Sequence, residues 1–95
     1  MENSIYRLMG WRSFIGPFVP FKSGELGDSK AQAVKVVEEA SELLYAVNHG
    51  TYEEAEEEIG DVLQATVNLA EVMGIDLKDA IAQANERNEA RGRFK

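Results

Sequence analysis

Two acidic clusters carry the side chains most able to act together: Glu38-Glu39-Ala40-Ser41-Glu42 and Glu58-Ile59-Gly60-Asp61. Glu39 and Glu42 are spaced i, i+3, and so are Glu58 and Asp61, which puts each pair on one side of a helix. Between the clusters lies Asn48-His49-Gly50-Thr51. There Gly50 suits the left-handed residue that ends a helix, and Thr51 with Glu54 forms a capping box that starts the next. The result is a helical hairpin with a short loop. In an antiparallel hairpin centred near Gly50, residues whose numbers sum to about 100 sit level, because both helices rise by the same amount per residue. Glu42 then faces Glu58, and Glu39 faces Asp61.

A helical wheel places these acids beside an apolar arc. On the first helix the arc is Ala33, Val36, Val37, Ala40, Leu43, Leu44 and Val47. On the second it is Tyr52, Ala55, Ile59, Val62, Leu63, Thr66, Leu69, Ala70 and Met73. The acid seam continues as Ala46 on one helix and as Ala65 and Val72 on the other, so it resembles the wall of a site. Like charges on a helix repel by about 0.2 to 0.5 kcal/mol per pair even when exposed. From Glu38 to Asp61 there are nine acids and no Lys or Arg. A divalent cation would offset that charge, and all-carboxylate ligation suits Mg2+, or Mn2+, over zinc. The alternative is an acidic face that is simply solvated.

The rest of the chain must hold this hairpin. Ninety-five residues make one domain with a limited core, which partnering with another copy would enlarge. A hydrophobic content of 44% predicts a folded chain, and a net charge of −7 disfavours binding to nucleic-acid polymers or anionic membranes. No run is long and uncharged enough to span a bilayer, and no signal-peptide pattern opens the sequence, so a cytoplasmic location is expected. The absence of cysteine removes disulfides, thiolate metal sites and cysteine nucleophiles.

Residues 1–28 are expected to form a short helix, capped by Asn3 or Ser4 and running to about Trp11 or Ser13, followed by a loop rich in Phe, Pro and Gly. Phe14, Ile15, Phe18, Val19 and Phe21 make that loop apolar. It either closes the core or a subunit contact, or offers an aromatic side chain, Trp11 or a phenylalanine, to stack on a ligand. Residues 29–95 bear the motifs. Ser29 with Gln32 predicts a capping box for a helix to about Asn48, in which Lys35 is either an i, i+4 partner for Glu39 or a phosphate contact. His49 is the single histidine and falls in the loop, which removes a di-iron Glu-x-x-His site. A third helix runs from about Tyr52 to Met73 and stops at Gly74. Asp76 and Asp79 cap a fourth, with Leu77, Ala80, Ile81 and Ala84 as its apolar stripe. Arg87, Arg91, Arg93 and Lys95 make the chain end basic, as helix termini favour or as a lip for phosphates.

Lys35-x-x-Glu38-Glu39-Ala40-x-Glu42-Leu43, followed after fifteen residues by Glu58-Ile59-Gly60-Asp61, resembles the EExxE and ExxD signature of MazG-like all-α nucleoside triphosphate pyrophosphohydrolases. The resemblance covers roughly Ser29 to Arg93. That superfamily includes phosphoribosyl-ATP pyrophosphohydrolase and dimeric dUTPase. The resemblance implies an all-α four-helix-bundle fold completed by dimerisation, as dimers or tetramers. It also implies hydrolysis of a nucleotide between its α- and β-phosphates, giving a monophosphate and pyrophosphate. Glu39, Glu42, Glu58 and Asp61 would then be the Mg2+ ligands. Glu38 would assist a second metal or position the attacking water, and Asn85 with basic residues such as Arg91 and Arg93 would meet the substrate. Phosphoribosyl-ATP hydrolysis and a non-catalytic helical interaction module are the competing readings.

Overall fold

A computed structural model describes residues Phe18 to Phe94. The expected first helix, with Trp11 in it, lies outside them. Among the described residues there is no strand. A strap from Phe18 to Gly27, containing one 3-10 turn (Ser23–Glu25), leads into three α-helices: α1 (Ser29–His49), α2 (Tyr52–Met73) and α3 (Leu77–Ala90). The described secondary structure is thus all-α, as the periodicity predicts.

The helices start and stop where local chemistry directs. The cap of α1 is Asp28, whose carboxylate accepts from the Ala31 backbone N–H at 2.8 Å. Ser29 was the expected cap and instead takes the first helical position. Gln32 is thereby free to turn back, and its side-chain amide donates to the Leu26 carbonyl. At the start of α2 the capping box forms as expected: the Glu54 N–H donates to Thr51 Oγ1 at 3.1 Å, and the Thr51 N–H donates to Glu54 Oε1 at 3.0 Å. Gly74, at φ 70°, ends α2 in the left-handed conformation, and Asp76 caps α3 by accepting from Lys78 and Asp79. Gly50 differs from expectation, with φ −102° and ψ −165°, which is extended backbone. Glycine is needed there for room: a Cβ would stand 2.5 Å from Glu54 Oε1 and 3.0 Å from the Ala46 carbonyl oxygen.

α1 and α2 share the one extensive helix–helix interface among the described elements, whereas α3 packs little against the hairpin. Residues at least half-buried recur on α1 as Gln32, Val36, Glu39, Leu43 and Ala46, and on α2 as Ala55, Glu58, Val62, Ala65, Leu69 and Val72. Glu39 and Glu58 therefore face the partner helix, while Glu42 and Asp61 lie at the exposed edge. This corrects the predicted arc: Val37 and Leu44 are each 64% exposed, and Ile59 is 50% exposed. Ala65, on the continuation of the acid seam, is only 5% exposed inside the chain, so it is covered there without a second copy. Two apolar stripes compete on α1, and one hairpin partner can cover only one of them.

The best-buried apolar residues are Leu26, Ala65, Val67 and Ala70. They lie where the strap crosses the end of the hairpin, with Phe18 and Pro20 beside Val67 and Ala70. Of the described part of the apolar loop, Phe18 and Pro20 thus pack on the core, whereas Val19 and Phe21 stay exposed.

Gly50→Ala should lower stability by about 1 kcal/mol, since its new methyl group displaces the Glu54 carboxylate from the Thr51 N–H. A urea melt followed by circular dichroism measures this, and an unchanged midpoint would contradict it.

Candidate metal centre

The antiparallel hairpin brings Glu39, Glu58 and Asp61 together. Each offers a carboxylate oxygen, and the three oxygens lie within 4.8 Å of one another. At an Mg–O distance of about 2.1 Å two ligand oxygens can be about 4.2 Å apart at most, so small side-chain rotations would draw all three onto one ion. The placement follows from helix geometry: Glu58 and Asp61 are a turn apart on α2, and Glu39 meets them from α1 at the level its number predicts.

Burial makes the arrangement costly without a cation. The Glu39 side chain is only 17% exposed. Oε1 of Glu39 and Oε1 of Glu58 are both shielded from solvent and have no hydrogen-bond partner. Desolvation raises the Glu39 carboxyl above the ordinary range, with further upward pushes from Glu42 and Asp61 and a smaller opposing pull from Lys35. Desolvation likewise raises Glu58, followed by repulsion from Glu42, Asp61, Glu39 and Glu57. Buried carboxylate oxygens aimed at one another without a donor are the chemical pattern of a divalent-cation site.

The other expected residues divide. Glu42 is exposed and close enough to raise both buried glutamates, but it is not one of the compact trio. It lines a wider cleft of about 550 Å3 on the turn side, with Tyr45, His49, Glu57 and Glu58. His49 is the last residue of α1, and its ring packs edge-on against Tyr45 at 4.8 Å between centroids. Glu38 is not one of the trio and pairs with Lys35, whose ammonium lies 3.6 Å from Glu38 and 3.9 Å from Glu39. Lys35 is thus the nearest cation to the seam, pairing at both i, i+3 and i, i+4. Asn85, Arg91 and Arg93 are not brought to the carboxylates within the chain. Asn85 is half-buried on α3, Arg91 caps the end of that helix, and Arg93 donates to Asn88 at 3.4 Å.

Sequence reasoning missed two amides, Gln64 and Asn68, and gave a third, Gln32, only a capping role. On the strap side of the trio is a smaller cleft of about 160 Å3, lined by Phe21, Glu25, Lys35, Glu39, Asp61 and these amides. Gln64 and Asn68 follow Asp61 on α2 at i+3 and i+7, which was the available signal that they share its side.

Residues 27–93 match the MazG nucleotide pyrophosphohydrolase domain, and the chain belongs to that family. It is similar to the nucleoside triphosphate pyrophosphohydrolases of Escherichia coli strains K12 and O157:H7. Each is 44% identical over 61 residues, which are 62% of this chain and 23% of the relative. The chain therefore spans about a quarter of the length of those relatives. No solved structure matches it significantly. Among the described residues no helix is long and apolar enough to cross a membrane.

The raised carboxyls fix the sign of a pH effect. A group whose folded pKa exceeds its unfolded value binds more protons when folded, so stability falls as pH rises from the unfolded value through the folded one. The metal-free protein should accordingly melt higher near pH 5 than at pH 7.5, with partial exposure keeping the difference modest. Glu58→Gln should raise the melting temperature at pH 7.5 and shrink that difference. A variant that melts lower than wild type at pH 7.5 without metal would contradict this account.

Proposed function

We propose that the chain is a Mg2+-dependent nucleotide pyrophosphohydrolase. Its substrate would be a canonical or modified (d)NTP, hydrolysed between the α- and β-phosphates to a nucleoside monophosphate and pyrophosphate. The observation that carries the proposal is the convergence of Glu39, Glu58 and Asp61, two of them with buried, undonated oxygens, in a chain of this family. The names of the E. coli relatives support the same reaction class. Water adds across the α–β bridge: one P–O bond breaks, one forms, and the water's protons pass to solvent or to a nearby base.

Glu39, Glu58 and Asp61 would hold the magnesium, or manganese, with Glu42 completing the set from the exposed side. When bound, the ion neutralises phosphate oxygens and acidifies coordinated water. The chain's own groups supply the rest. Glu38, solvated and paired with Lys35, is proposed to assist a second metal or to position the attacking water. Lys35 can exchange Glu39 for a phosphate oxygen once the carboxylate is otherwise engaged. Asn85, Arg91 and Arg93 are proposed to contact the phosphates, and Trp11 or a phenylalanine of the N-terminal loop the nucleoside.

Because α3 packs little on the hairpin, those contacts would come from a second copy, in a dimer or a tetramer built as a four-helix bundle. The exposed stripe of Val37, Leu44, Ile59 and Leu63 supports such an assembly. A mass measurement by light scattering in solution should give a multiple of 10.5 kDa above one. A monomer at all concentrations would refute the bundle.

Phosphoribosyl-ATP hydrolysis and a non-catalytic interaction module are the competing assignments, and one substrate panel separates all three. Pyrophosphate should be released from one or more nucleoside triphosphates with Mg2+ and not with chelator. Asp61→Asn or Glu42→Gln should reduce the rate by about 100-fold or more, while leaving the fold intact. Release only from phosphoribosyl-ATP would select the first competitor, and no release from any substrate the second.

A further inference from the structure

The strap over the small cleft is held by polar groups. Gln64 Nε2 donates to the Val19 carbonyl at 3.0 Å and to Asn68 Oδ1 at 3.2 Å, and the same Oδ1 accepts from the Phe21 N–H at 2.9 Å. Gln32 fastens the far end by donating to the Leu26 carbonyl. Asn68 is 3% exposed, the lowest exposure among the buried residues. Burying an amide so completely is tolerated only when its hydrogen bonds are made, so the strap's path is fixed where Asn68 meets Phe21. The Phe21 ring is nevertheless 51% exposed, and it lines the cleft that Glu39 and Asp61 enter.

An aromatic ring left open beside a metal-binding trio, on a backbone tethered by two buried or half-buried amides, is an arrangement that core packing does not require. At about 160 Å3 the cleft is smaller than the roughly 300 to 1,000 Å3 that takes a whole drug-sized ligand, so it suits one part of a nucleotide.

We propose that Phe21 is the surface on which the substrate's nucleobase rests, and that Gln64 and Asn68 are positioning residues that hold Phe21 at a fixed height above the carboxylates. The proposal rests on the nucleotide reading above and deepens it by naming what selects among nucleotides. Base stacking on an aromatic ring is tolerant of base identity in itself, so selection comes from where the latch sets the ring.

The test compares KM for each nucleoside triphosphate with the inhibition constant of inorganic triphosphate, which has no base or sugar. In Phe21→Ala, and more weakly in Gln64→Ala and Asn68→Ala, the ratio of the two should rise about tenfold, the size of one lost base stack. Phe21→Tyr should keep the wild-type ratio. Trypsin should cut after Lys22 on the strap faster in both amide variants than in wild type. Should the inhibition constant of inorganic triphosphate rise in step with KM, the strap only shapes the phosphate site and the proposal fails. Folded variants with unaltered ratios overturn it as well, as does unaltered cleavage at Lys22 in both amide variants. A wild-type protein that cleaves no nucleotide would remove the parent reading and this one with it.

Discussion

The structure turns on a repulsion held in place by helix geometry. Two rigid helices with a short reversal set Glu39 level with Asp61 and Glu58 one turn away, so the backbone holds the three carboxylates on one seam. Neighbouring acids raise the repulsion, and partial burial removes the water that would otherwise screen it. Nothing else in the described chain places so many like charges so close. Against this seam the hairpin is held by capping at Asp28 and Thr51 and by the small core under the strap.

That constraint explains why the site is found at an interface of helices and not on a loop. Side chains on packed helices lose little further freedom when they meet a ligand, so a divalent ion finds its ligands already arranged. It also explains the division of cations. Lys35 is close enough to soften the seam and too far along α1 to neutralise it, while the arginines of α3 are kept away from it within one chain. An acidic site that is to meet a polyphosphate gains by having its cations movable or supplied by another copy, because fixed ones would compete with the metal.

Much of this was legible in the amino-acid order. The i, i+3 acid pairs, the Thr51–Glu54 capping box and the Gly74 stop were readable because each depends on a few neighbouring residues. The level meeting of Glu39 with Asp61 needed only the rise per residue and the position of the turn. What could not be read was which of two apolar stripes the hairpin buries. Val36, Leu43 and Ala46 compete with Val37, Leu44 and Val47 on the same helix, and hydrophobicity alone does not decide between them. The conformation of Gly50 escaped for a related reason: glycine serves both left-handed turns and crowded extended ones. Gln64 and Asn68 carried no local signal, because the strap they bind lies more than forty residues away in sequence.

The central claim is that the carboxylate trio is a cation site, and it can be examined without any substrate. Titrating the metal-free protein with Mn2+ while following the free-ion electron paramagnetic resonance signal counts bound ions directly. The account predicts saturable binding that Mg2+ displaces and that Glu58→Gln or Asp61→Asn removes. Binding that does not saturate, or that persists undiminished in both variants, would contradict it.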